Sequence, residues 1–115
     1  MPPRNWLLRI TDILDAIAAI QAYTVGMEFT TFLNERKTID AVIRNITIIG
    51  EAANHIPEMV VNAHPEIPWA DMRDMRNVVV HNYFGVNVKI VWDTTQADLP
   101  PLVEALTKLL QEHQT

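Results

Sequence analysis

The sequence contains no cysteine. That excludes disulfide staples, thiolate nucleophiles and cysteine-based zinc sites, and makes a cytoplasmic setting the expectation. Glycine is nearly as scarce, with 3 among 115 residues, which argues against a Gly-rich β-protein. Nowhere do about 18 apolar residues run together, so no membrane span is expected. The opening MPPRNWLLRI lacks the apolar stretch and small-residue cleavage site of a secretory signal, so secretion is not expected either. Basic residues are also few, with 9 Lys and Arg against 14 Asp and Glu, a net charge of −5. Neutralising phosphates needs clustered positive charge, which argues against a broad nucleic-acid-coating surface. It does not exclude a small, locally positive groove.

What remains is an apolar chain, 49% hydrophobic, long enough to bury a core as a single domain over residues 1–115. Helical spacing dominates it. Leu7, Ile10, Leu14, Ile17 and Ala18 form a three-and-four stripe, which predicts an amphipathic helix from about Asn5 to Tyr23. Gly26 ends it, and a short helix around Phe29, Phe32 and Leu33 follows. Ile39, Val42, Ile43, Ile46, Ile49, Ala53 and Ile56 predict a long helix from about Thr38 to past Ile56. Pro57 either kinks that helix or marks a bend. After the proline-punctuated AHPEIPW, Pro68 suits the first turn of a helix from about Trp69 to Tyr83, with Gly85 as its stop. Asn87 suits the cap of a last helix, bent near Pro100 and Pro101 and carrying Leu102, Val103, Leu106, Leu109 and Leu110. The expectation is an all-α, up-and-down bundle of four to five helices.

One stretch, MRNVVVHNYFGV, sets Arg76, Asn77, His81 and Tyr83 around three valines. With roughly 100° per residue and Arg76 at zero, Trp69, Met72, Met75, Val79 and Val80 fall in an arc from roughly −100° to +40°. Arg76 lies inside this apolar arc, with Tyr83 roughly 20° away, while Asn77 and His81 share a flank at roughly 100° to 140°. Arg73 lies between the two groups. An arginine in an apolar stripe needs a partner. On the preceding helix Arg44 and Glu51 share one face, with Asn54 close by, and Glu51 is the expected counter-ion of Arg76. A structural ion pair and a reactive site remain open readings. Gly50, Ala52 and Ala53 allow close helix approach, and ordinary tight packing explains them.

Other polar residues carry less. His55 and His64 have no recognised metal spacing and are expected to be solvated. Glu66, Asp71 and Asp74 suit a solvated face and a helix N-terminus. Trp69 and Trp92 are expected as core or interface anchors.

The run Arg76-Asn77-x3-His81-x-Tyr83 resembles the Arg-x4-His-x-Tyr signature of the HepT toxins, in the HEPN superfamily. RNITIIGEAA (44–53), HPEIPWADMRDMRN (64–77) and HNYFGVNVKIVWDTTQADLP (81–100) extend the resemblance in the same order, over roughly Arg4 to Leu110. It implies a HEPN bundle that forms a homodimer and brings two Arg-x4-His motifs into one cleft. It also implies a metal-independent endoribonuclease toxin acting on mRNA or tRNA, with no cofactor. Its partner would be a nucleotidyltransferase antitoxin of the minimal type (MNT), which uses ATP to transfer AMP to Tyr83.

The residue types suit this chemistry. Cleavage without metal needs a base at the ribose 2′-OH, an acid at the 5′-oxygen and positive charge at the phosphorane. Histidine titrates near neutrality and can fill either proton-transfer role, and arginine stays charged and offers a fork to phosphate oxygens. The expectation assigns His81 as general acid/base, Arg76 to the phosphate, and Asn77 to orienting His81 or the substrate. Arg44, Arg73 and Glu51 support them. One histidine per chain cannot easily serve as both acid and base, which gives the dimer a mechanistic reason. The blander alternatives are a satisfied core histidine at His81 and a hydrogen-bonded structural phenol at Tyr83. The rival function is a non-catalytic HEPN binding subunit of a nucleotidyltransferase complex, which would need none of Arg76, Asn77 and His81.

Overall fold

A computed structural model of the chain describes residues 5–81 and 87–113, with the side chains of its fifth helix described as far as Asn77. The expectations for Tyr83 and Gly85, and for the side chain of His81, lie outside the described residues.

The described chain is all-α, in the order α1 (Trp6–Thr24), α2 (Phe29–Leu33), α3 (Arg36–Asn54), α4 (Glu58–Ala63), α5 (Trp69–His81), α6 (Val88–Asp93) and α7 (Leu99–Glu112). Asn5 opens α1 by accepting a hydrogen bond from the Leu7 N–H at 2.9 Å, which satisfies one of the free donors of the first turn. Gly26 lies beyond its end at φ 74°, in the left-handed region that side chains disfavour. The buried face of α1 is Ile10, Ile13, Ala16, Ile17 and Ile20, rotated from the expected stripe, so that Ala18 is exposed.

The stripe of α3 is buried throughout, from Ile39 to Ala53, with Ile56 buried just beyond the helix. The helix itself is shorter than expected. It ends at Asn54, and Pro57 caps the separate helix α4. Proline cannot donate to the helical ladder and restricts the residue before it, which divides the two helices while Ile56 still anchors the joint.

The central helix is α3, with α1 against one side and α5 against another; α7 closes the bundle along α1. Phe32 is fully buried and its ring lies 5.0 Å from that of Trp92, tying α2 to α6. Trp69 is also buried, and its indole N–H donates to the His64 carbonyl at 3.0 Å. Both tryptophans are therefore core residues.

Asn87 caps α6, its side chain accepting from the Lys89 N–H at 3.1 Å. Between α6 and α7 the backbone widens into a π-helical turn, Thr94–Asp98, in which the Leu99 N–H reaches back to the Thr94 carbonyl. Pro100 and Pro101 explain it. Neither can donate to the carbonyl four residues earlier, and each ring crowds that carbonyl, so a wider turn relieves both problems. The expected bend is thus a widening just ahead of the prolines, and the helix continues through them.

Candidate active site

The site is built where α3 and α5 cross. A Cβ placed on Gly50 would lie 2.7 Å from the Arg76 Cβ and 2.9 Å from its backbone nitrogen, so only glycine permits this approach. Three residues further along α3, the Ala53 carbonyl accepts a hydrogen bond from Arg73 Nε at 3.3 Å. Advancing along α3 therefore means moving back along α5: the pair is antiparallel. By the same register, Arg44 falls level with the C-terminal end of α5.

Next to Gly50, Glu51 reaches Arg76. Its Oε1 lies 2.7 Å from an Arg76 Nη, with the side chains 43% and 50% exposed respectively. The expected counter-ion is in place, but the expected burial is not. Arg76 belongs to the packed arc only through its backbone and Cβ; its long stem carries the guanidinium out to the surface. The pair is too solvated to contribute more than about 1 kcal/mol to folding, so its significance lies in where it holds a cation.

Around it, Asn77 is exposed one residue on, and His81 closes α5 one turn later. Arg73 sits between the C-terminus of α3 and the N-terminus of α4, near Glu58 at 3.7 Å. A cation there complements the free carbonyls of the α3 terminus. Arg44 is exposed on α3. The chain is acidic overall, yet Arg73 and Arg76 stand one turn apart on α5, each beside a glutamate.

Two features near the site were not read from sequence. Gly50 was legible as a small residue, but not as the contact beneath Arg76. Glu58 carried no signal, because its proximity to Arg73 follows from the break at Pro57. His55 is exposed as expected, and its Nδ1 lies 2.8 Å from the Glu51 carbonyl. His64 departs from expectation, being only 16% exposed and 3.3 Å from Glu66. Its ring stacks edge-on against His113 at 5.7 Å. Among the described residues, no group of three or more His, Asp or Glu stands where it could hold a metal ion.

The family model for HepT-like ribonucleases matches residues 13–109. The chain belongs to the HepT-like ribonuclease family. It is 44% identical over 100 residues to a Thermococcus cleftensis protein named "Probable ribonuclease HepT", covering 87% of this chain and 91% of that one. It is 34% identical over 112 residues to a Methanocaldococcus jannaschii protein named as a "Putative RNase", covering 97% and 93%. No solved structure matches.

For a HepT-like ribonuclease, the position of one open cavity is informative. It measures about 660 Å³ and is lined on α5 by Asp71, Met72, Asp74 and Met75. The centre of these four lies roughly 175° around the helix from the centre of Arg73, Arg76 and Asn77. The cavity is therefore separate from the arginine-bearing flank. Among the described residues no helix is long and apolar enough to cross a membrane.

Proposed function

We propose that this HepT-like ribonuclease is the toxin of a HEPN/MNT toxin–antitoxin pair, an endoribonuclease whose site is completed by a second copy of the chain. The observation that carries the reading is the half-exposed Arg76 guanidinium, held 2.7 Å from Glu51 beside exposed Asn77. Such a cation is fixed in direction yet open to a phosphate oxygen.

In the proposed reaction, one His81 takes the proton from the ribose 2′-OH as the oxygen attacks phosphorus. The P–O5′ bond breaks, and the partner subunit's His81 gives its proton to the leaving oxygen. Arg76 neutralises the charge that develops on the phosphorane. The products are a 2′,3′-cyclic phosphate and a 5′-hydroxyl, and no metal takes part. The substrate is cellular mRNA or tRNA, encountered in the cytoplasm.

Neutralisation falls to a nucleotidyltransferase antitoxin. AMP transferred from ATP to Tyr83 would place an anionic phosphate and bulk two residues after His81, competing with RNA for Arg76. The acidic remainder of the surface suits a protein partner, and it also favours the second reading, a non-catalytic binding subunit.

The test is cleavage of RNA by the purified chain in EDTA, with the product ends characterised. Cyclic phosphate ends, lost in His81→Ala, support the enzyme. Activity unchanged in His81→Ala would refute the assignment, and a chain that is inert and harmless when expressed alone would favour the binding subunit.

A further inference from the structure

The helix that carries Arg76 also carries a repeated triplet, Asp71-Met72-Arg73-Asp74-Met75-Arg76. On a helix of about 3.6 residues per turn, a three-residue repeat sorts into three adjoining stripes. The arginines face α3 and the candidate active site. The methionines are buried, Met72 completely and Met75 at 9% exposure. The aspartates stand exposed on the far side.

That far side borders the 660 Å³ cavity, an open groove between α5 and the α6–α7 arm. Its floor is apolar, made by Met72, Met75, Val91 and Leu102, and Ile90 on its wall is 42% exposed. Four exposed carboxylates, Glu66, Asp71, Asp74 and Asp98, surround this floor, and the described lining contains no basic side chain. The groove exists because α5 packs chiefly on α3, while the widened turn ahead of Pro100 carries Ala97 and Asp98 along the opposite wall.

We propose that this groove docks an amphipathic helix of a partner protein, one that presents basic side chains around an apolar face. The apolar floor supplies the burial, and methionine floors adapt to irregular side chains. The carboxylates select charge. They come from three separate elements, so a single small cation cannot meet them together, whereas several cations on one helical scaffold can. RNA is disfavoured, since its phosphates would face four carboxylates. The partner would grip α5 on the side opposite Arg76. This proposal stands on the groove and does not depend on the ribonuclease reading.

The test uses the full chain with ¹³C-labelled methionine methyls and an 18-residue helical peptide of Leu and Lys, its leucines at three-and-four spacing. Controls are the same peptide with Glu for Lys, a scrambled peptide of identical composition, spermine, and a single-stranded oligoribonucleotide. The expected result is saturable binding of the basic amphipathic peptide alone, shifting Met72 and Met75 and leaving exposed Met59 unmoved. Ala97→Trp, which fills the groove, and the double change Asp71→Lys with Asp74→Lys should each weaken binding at least tenfold while circular dichroism stays helical. Equal binding of the acidic or scrambled peptide overturns the proposal, as does binding that survives both variants. Shifts of Met72 and Met75 by spermine or the oligoribonucleotide alone overturn it too, assigning the groove to a polyamine or to RNA.

Discussion

Gly50 lies directly beneath Arg76. The hydrogen of a glycine is all that fits between α3 and the Arg76 backbone, since a Cβ there would stand 2.7 Å from the Arg76 Cβ. The residue that lets the two helices touch is thus the one that brings Glu51, its neighbour, within 2.7 Å of the Arg76 guanidinium. Packing and site geometry share one contact.

Gly50→Ala should therefore be destabilising, although alanine is the better helix former. The propensity gain is about 1 kcal/mol, and forcing a methyl into a packed crossing costs about 1–3 kcal/mol. The atoms it meets are backbone and Cβ, which cannot swing away. Urea denaturation should show a lower midpoint, and RNA cleavage should fall further than stability does. A midpoint at or above the parent value would show that the helices separate freely.

Glu51→Gln should leave the unfolding free energy from urea denaturation nearly unchanged, within about 1 kcal/mol, because the ion pair is half-solvated. Its effect should appear in cleavage, through a guanidinium that is less well oriented. Arg76→Lys keeps the charge but removes the fork, and a loss of about tenfold or more in kcat/KM is expected. Full activity in Arg76→Lys would mean that a point charge suffices.

If each cleft needs two histidines, an inactive chain should poison an active one. Mixing the parent with excess His81→Ala, under conditions that exchange subunits, should reduce RNA cleavage below the value set by dilution. A strictly proportional loss would instead assign one complete site to each chain.

Incubation with a cognate nucleotidyltransferase and ATP should add AMP mass to the parent chain and none to Tyr83→Phe, read by intact-mass spectrometry. Added mass that persists in Tyr83→Phe would place the modification elsewhere and remove the proposed route of neutralisation.

Phe32→Ala removes a fully buried ring packed on Trp92. A loss of about 3–5 kcal/mol is expected, enough to consume much of a small domain's stability. A thermal melt checks it, and a shift of only a degree or two would show that α2 is dispensable to the core.

The helices were legible because their determinants are local. Apolar spacing along α3, the cap at Asn87 and the break at Gly26 each act within a turn or two of chain, so reading neighbours in sequence is reading neighbours in space. The Arg-x4-His-x-Tyr run was legible for the same reason, and the family match over residues 13–109 agrees with it. The ion pair was half legible. Its partners could be named from faces of two helices, but Arg76 was expected to be buried, because a helical wheel locates Cβ atoms and is blind to where a long side chain ends.

Sequence alone thus determined the all-α fold and the family, both of which depend on residue type and short-range spacing. Only the tertiary structure decided the antiparallel register that sets Gly50 against Arg76 and Ala53 against Arg73. It alone opened the acidic groove behind α5. These relationships join residues about 20 or more apart along the chain. They follow from how whole helices pack, and packing is settled by the shapes of both surfaces at once.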